Sequence, residues 1–391
     1  MIAVIADDFT GAAEIGGVGI RNGFRVIIDT KVDNSVETDI LIIATDTRSQ
    51  NPEQATALIK KTTADLLALR PDFIYKKMDS ILRGNVADEL LAQLSVSGKE
   101  RALLVPANPV LKRTILDGIY YYDGIPLNEF SFTNGSVKKR ASSQVLDLIG
   151  EKASAYARVI STHDDLPEKG LMIGNTSNSG DLEEWVKKID EKTIPSGGSG
   201  FFDAILRSRK DAGKENFNAV KLGEKVLYVC GSAFMNSRAL VKASREAGQE
   251  VLYMPEKLFC SKEQDKKLIE EWTGEIIDSL ESKNRVIIAI DHLECDEVES
   301  LPGRIREAIA DVVENVLGRT KVHELIIEGG STSFSIIQRL NYTRFFPTHE
   351  FGPGSIRMRI EGQKNIFLTL KPGSYVWPDS IWEYPVDHQV K

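Results

Sequence analysis

The residues of this chain that could do chemistry stand at the ends of short apolar runs. Asp7 and Asp8 end the run from Ile2 to Ala6, and Asp46 and Arg48 follow Asp39–Ala44. Lys76, Lys77 and Asp79 follow Phe73–Tyr75, with Ser80 next and Arg83 one helical turn later. Arginine and lysine clamp a carboxylate by charge-assisted hydrogen bonds. An aspartate accepts the proton of a hydroxyl or orients it. This mixture predicts a site for a small polar anion. Any one of these carboxylates could equally be a helix cap or half of an ion pair, since caps favour Asp and Ser. Charged strand ends converging on one edge are harder to explain that way.

The C-terminal half ends its strands differently, in Gly231-Ser232, in Gly329-Gly330-Ser331-Thr332 and in Pro372-Gly373-Ser374. Backbone amides where a strand turns into a helix form an anion site, strengthened by the helix N-terminus. That chemistry suits nucleotide phosphates, although each turn alone also reads as a tight turn or a cap. A charged half for a metabolite beside a glycine-rich half for phosphates is what phosphoryl transfer needs.

The elements that must position these residues alternate. Near-continuous apolar strands, ending in small or polar residues and followed by helical stretches such as Asn51–Leu69 and Asn85–Leu94, predict parallel sheets covered on both faces. The pattern fades between about Thr162 and Gly223, where Asn175–Gly180 and Ser196–Gly200 read as an interdomain region. It resumes at Val226–Val229, Glu250–Tyr253, Arg285–Ile290 and Glu324–Ile327, with a helix over Arg304–Leu317. Ser355–Leu370 alternates like an antiparallel pair. The expectation is an α/β protein of two domains, 1–210 for substrate and 211–391 for nucleotide. Each has a mainly parallel sheet flanked by helices, and the active site lies in the interdomain cleft.

Composition bounds the function. A chain of 391 residues exceeds what one core usually supports. A net charge of −8 disfavours nucleic acid and anionic membrane as partners. Three scattered cysteines propose no zinc site, and an odd count fits a reducing compartment. No basic leader precedes the first strand, and no apolar run approaches the roughly 20 residues of a membrane span. A cytoplasmic protein is expected, with a homodimer as the base-rate assembly. No GxxxxGK[ST] phosphate loop occurs, and Gly17-Val18-Gly19 falls inside the first helix, misplaced for a dinucleotide fingerprint. The five histidines are scattered. Trp377 and Trp382 are expected to pack the C-terminal tail, with base stacking as the other reading.

Ala6–Ala12, Lys76–Asn85 and Pro106–Gly118, which includes Arg113, resemble the N-terminal motifs of the four-carbon acid sugar kinase family. Ser199-Gly200, Gly231-Ser232, Gly329-Gly330 and Leu370–Ser374 are similar to that family's nucleotide-binding domain in order and spacing, across nearly the whole chain. Ser331-Thr332 and Phe201-Phe202-Asp203 depart from the usual pattern and mark a divergent member. The resemblance implies ATP-dependent phosphorylation of a terminal hydroxyl on a short sugar acid or its 3-oxo form, with Mg²⁺. By matching position, Asp8, Arg48, Lys77, Asp79 and Ser80 would contact substrate, and Ser232, Gly329, Gly330, Ser331, Thr332 and Gly373 would contact ATP. In the mechanism expected here, Arg48 and a lysine of the Lys76-Lys77 pair hold the carboxylate, and Asp8 or Asp79 accepts the hydroxyl proton. Lys77 or Arg83 offsets charge on the transferred group. No residues are assigned to the metal. The rival readings are a small-anion or nucleotide-binding protein without turnover, a solute receptor, and a nicotinamide-dependent oxidoreductase.

Overall fold

The computed structural model describes residues 1–130, 141–150, 153, 155–209, 220–232, 234–260, 265–291, 301–373 and 375–382. Ser374 therefore lies outside the described residues. The chain divides into two compact units, the first reaching Asn216 and the second running from Phe217 to Lys391. Both are α/β.

In the first unit the chain runs β1 (Ile2–Ala6), α1 (Phe9–Arg21), β2 (Val26–Asp29), β3 (Ile40–Ala44), α2 (Pro52–Ala68), β4 (Ile74–Lys77), α3 (Val86–Ser97) and β5 (Arg101–Val105). There follow three short strands, β6 (Arg113–Leu116), β7 (Ile119–Tyr122) and β8 (Ile125–Pro126), which pair antiparallel in a small separate sheet. The main sheet is completed by α4 (Val145–Leu148), β9 (Ala157–Ile160), β10 (Gly170–Gly174), α5 (Ser179–Lys187), β11 (Thr193–Gly197) and α6 (Ser199–Arg209). Its order is β2-β3-β1-β4-β11-β5-β10-β9, and the pairs are parallel. Every residue of β1 and β3 is buried, as expected for strands covered on both faces. Ala6 pairs with both Ala44 and Lys77, so the three central strands end level. Asp7, Thr45 and Met78 therefore emerge together along one edge.

One expectation is corrected here. Most of the stretch from Thr162 to Gly223 is not interdomain, because it supplies β10, α5, β11 and α6 to the first sheet, and the division between the units falls only near its end, at Asn216–Phe217. The glycine-rich run Ser196–Gly200 ends β11, which sits between β4 and β5. Gly197 has φ +147°, and a Cβ there would lie 2.0 Å from the Val105 carbonyl oxygen. Glycine is required by that approach of two backbones, and is not a mark of linker text. Pro195 further disguises the strand, since proline donates nothing to a ladder.

The second unit runs β12 (Val226–Cys230), α7 (Met235–Glu246), β13 (Val251–Tyr253), α8 (Lys257–Cys260), α9 (Lys266–Lys283), β14 (Arg285–Ala289), α10 (Leu301–Arg319), β15 (Glu324–Glu328) and α11 (Gly330–Arg339). It closes with β16 (Arg344–Gly352), β17 (Ser355–Ile360) and β18 (Phe367–Lys371). The order β13-β14-β12-β15-β18 is parallel, and β17 and β16 add antiparallel strands at one side. The antiparallel pair expected at the tail is β17 with β18. Trp377 and Trp382 are buried against Tyr228, with ring centroids 6.2 and 5.4 Å from it, and belong to the core. No helix among the described residues is long and apolar enough to cross a membrane.

Candidate active site

In the first unit the chain changes direction at β1, which pairs with β3 on one side and β4 on the other. In open α/β sheets a crevice for ligand forms at such a reversal, outside the carboxyl ends of the strands. Asp8 caps α1 there: its Oδ1 accepts from the Gly11 amide at 2.9 Å, and its Oδ2 accepts from the Thr10 hydroxyl. A Cβ at Gly11 would lie 2.5 Å from Asp8 Oδ1 and 3.2 Å from Lys77 Nζ. Glycine at this position lets the carboxylate and the ammonium approach the helix start together.

Arg48 gathers the carboxylates. Its Nε and Nη2 donate to Asp7 at 2.8 and 2.9 Å, Nη2 also donates to Asp8 at 2.7 Å, and Nη1 lies 3.5 Å from Asp79. The Asp79 carboxylate is held by Arg83, whose Nε donates to Oδ2 at 2.8 Å and Nη2 to Oδ1 at 2.6 Å. The amides of Ile81 and Arg83 donate to the same Oδ2 at 3.3 and 3.0 Å. Lys77 Nζ donates to the Met78 carbonyl at 2.9 Å and sits 3.5 Å from Glu14, whose other oxygen accepts from Ser199 at 2.8 Å. Ser80 accepts from Arg113 at 2.9 Å.

The two adjacent lysines separate. Successive strand side chains point to opposite faces, and Lys76 is wholly buried in an ion pair with Glu89 at 2.7 Å. Lys76 is thus committed away from the Asp8 cluster, and Lys77 is the lysine that joins it. Asp8, Arg48, Lys77, Asp79, Ser80 and Arg83 stand within one network of the first unit. Asp7, one of the charged strand ends expected from the sequence, belongs to it as well, and so do Glu14 and Tyr120, which the sequence does not single out. Their signal is weak, because a buried carboxylate beside a strand end looks the same whether it binds ligand or orients a neighbour.

The electrostatics set the protonation states. Burial pushes the Asp8 carboxyl up, but Arg48, Lys77 and the Thr10 hydroxyl outweigh it and hold the group below its usual 3.8. Burial acts likewise on Asp79, where Arg83 and Arg48 hold the carboxyl well below that value. Desolvation lowers the Arg48 value, yet Asp7, Asp8 and Asp79 raise it far above the ordinary range. These groups stay ionised at neutral pH. With depressed folded values, their contribution to stability is present above pH 3.8 and is lost as pH falls through the folded values. Accordingly kcat/KM should stay level from pH 8 down to about 5; an acid limb near pH 6 to 7, as for a base tuned to neutrality, would contradict this.

The second unit carries its own strand-end site. α11 begins at Gly330 without a side-chain cap, after Gly329 with φ +100°. Ser333 N–H donates to the Gly329 carbonyl, but the amides of Gly330, Ser331 and Thr332 have no acceptor among the described residues. Such first-turn amides, at the positive end of a ten-residue helix, suit an anion. A Cβ at Gly231 would lie 2.4 Å from Thr332 Oγ1, and one at Gly373 would lie 2.8 Å from Ser232 Oγ. The three turns therefore meet, and side chains there would fill the space between them. Beneath, Glu328 pairs with Lys371 at 2.5 Å and accepts from Ser237, all three buried. A cavity of about 370 Å³ opens alongside, lined in part by Ser232, Arg238, Tyr253 and Asp291.

A family model described as a sugar-binding N-terminal domain matches residues 2–238, and one described as a nucleotide-binding C-terminal domain matches residues 227–375. The chain belongs to the four-carbon acid sugar kinase family. Relatives in this family include a 3-oxo-tetronate kinase of Haemophilus influenzae, 24% identical with 98% of each chain covered. A D-erythronate kinase of Heliobacterium modesticaldum is 24% identical over 87% of this chain and 85% of its own. A D-threonate kinase of Salmonella typhimurium is 31% identical, over 37% of this chain and 35% of that one. Among solved structures, a Haemophilus influenzae protein superposes with TM-score 0.70 at 20% identity, covering 97% of this chain and 98% of the other. A Salmonella typhimurium LT2 protein gives 0.76 at 18% identity, covering 98% and 99%. These two structures share the fold. The sugar-binding model spans the first unit and the start of the second, and the nucleotide-binding model lies in the second.

Proposed function

We propose that this chain phosphorylates a terminal hydroxyl of a short sugar acid, of about four carbons or its 3-oxo derivative, using ATP. The observation that carries the reading is the contrast between its two strand-end sites. One is a buried cluster of ionised carboxylates and guanidinium groups; the other is an uncapped helix start ringed by glycine turns. The names of the family relatives, which act on tetronates, threonate and erythronate, support the substrate class.

The first unit holds the acid. Lys77 and the Nη1 of Arg48 have donors to spare for its carboxylate, and Ser80 is within the same network. Of the two candidate carboxylates, Asp8 suits the attacking hydroxyl better. Asp79 accepts four hydrogen bonds, three on Oδ2 and one on Oδ1, which also faces Arg48 Nη1 at 3.5 Å; Asp8 accepts three, with only the Thr10 hydroxyl on its Oδ2. A carboxylate kept strongly ionised is a weak base, so Asp8 orients the hydroxyl and accepts its proton late, as a loose phosphoryl transition state permits. Asp79 anchors Arg83, whose charge offsets that developing on the transferred group. In the second unit the amides of Gly330, Ser331 and Thr332, with Ser232 and Gly373, hold the phosphates. Magnesium, when bound, would neutralise charge on the phosphates. Among the described residues no group of three or more His, Cys, Asp or Glu side chains is arranged to hold a metal ion.

The test is ADP release with Mg²⁺ and a panel of threonate, erythronate and 3-oxo-tetronate isomers. Turnover of at least one acid is expected, and silence on all of them would overturn the proposal. Calorimetric ATP binding without ADP release would favour a binding protein.

A further inference from the structure

Arg113 opens β6 and is buried, with only 5% of its surface exposed. Its backbone is pinned by reciprocal bonds with Asn108 at 2.9 and 3.0 Å, and its guanidinium carbon lies 5.6 Å from the Tyr122 ring centre. From there Nη1 donates to Ser80 Oγ at 2.9 Å. On the neighbouring strand β7, Tyr120 donates its hydroxyl to the Ser80 carbonyl. The small antiparallel sheet therefore grips Ser80 at two points, directly after Asp79.

The direction of the Arg113 bond matters. A guanidinium has donors only, so the Ser80 oxygen must accept, and the serine proton must go elsewhere. Among the described residues no acceptor takes that proton. Ser80 is only half-buried. A cationic donor also polarises the hydroxyl and strengthens the bond it gives in turn.

We infer that Arg113 is a positioning residue that makes the Ser80 hydroxyl a fixed hydrogen-bond donor to an oxygen of the sugar acid. Arg113 itself does not touch the acid; it acts through Ser80. The inference rests on the sugar-acid reading above. It adds a discriminating contact, since a substrate lacking an acceptor at that position would leave the polarised hydroxyl unpaired.

The experiment is a double-mutant cycle in the full chain, with KM and kcat for the best acid of the panel. Ser80→Ala is expected to raise KM for the acid about tenfold, with kcat within about twofold and KM for ATP unchanged. Arg113→Ala should do the same, and Arg113→Ala with Ser80→Ala should be no worse than either alone, because one contact is lost in all three. Multiplying effects, about a hundredfold in the double variant, would overturn the inference. So would an unchanged KM in Ser80→Ala, which decides the matter even if Arg113→Ala does not fold. A wild-type chain that turns over no acid overturns the sugar-acid reading and this inference with it, a result distinct from the other two.

Discussion

Asp8→Asn is expected to lower kcat by at least about 10²-fold while leaving KM for ATP unchanged. The substitution keeps an oxygen able to accept from the Gly11 amide, so α1 retains its cap. It removes the charge that faces Arg48 and Lys77 and that, in the proposed mechanism, orients the hydroxyl. The fold should therefore survive, with a thermal midpoint within a few degrees of wild type. Asp8→Ala loses the cap as well and should show both defects, the cap contributing about 1 kcal/mol. Steady-state kinetics beside thermal melts separate the two contributions. Near-normal turnover in Asp8→Asn would show that the hydroxyl is positioned by another group.

Glu328→Ala should be the most damaging single change to stability among the strand-end residues. It leaves the Lys371 ammonium, 1% exposed and 5.1 Å from the Trp377 ring, without its counter-charge. Breaking one side of a buried pair costs about 3–5 kcal/mol, which corresponds to a melting shift on the order of 10 °C for a unit of this size. The Ser237 hydroxyl loses its acceptor at the same time. Removing both charges, as in Glu328→Met with Lys371→Met, should recover much of the loss, because no unpaired ion remains buried. Scanning calorimetry on the single and double variants checks this. Equal destabilisation in both would mean that packing, and not the uncompensated charge, sets the cost. Because Glu328 directly precedes Gly329, the same change should also weaken nucleotide binding.

The sequence by itself determined the alternating α/β plan and where its strands end in charged residues or glycine. Apolar runs such as Ile2–Ala6 and Glu324–Ile327 are continuous because both faces of a parallel strand are buried, and that signal is local. The glycine turns are local signals too: a Cβ at Gly231 or Gly373 would crowd a neighbouring side chain, and Gly329 takes a φ of +100° that favours glycine. Residue types at the ends of β1, β3 and β4 likewise announced a charged site.

Only the tertiary structure decided which partner each charge meets. Lys76 and Lys77 are indistinguishable as text, and the pleat sends one to Glu89 and the other to the Asp8 cluster. Asp8 and Asp79 were equal candidates until Arg83 and two backbone amides proved to occupy Asp79. Strand β11 read as linker because Pro195 and Gly197 are poor strand formers, and it earns its place only through the approach of its backbone to Val105. Ser80 gained its partner from β6, thirty-three positions along the chain. These decisions depend on pairings between distant segments, and no local pattern encodes which oxygen a guanidinium will reach.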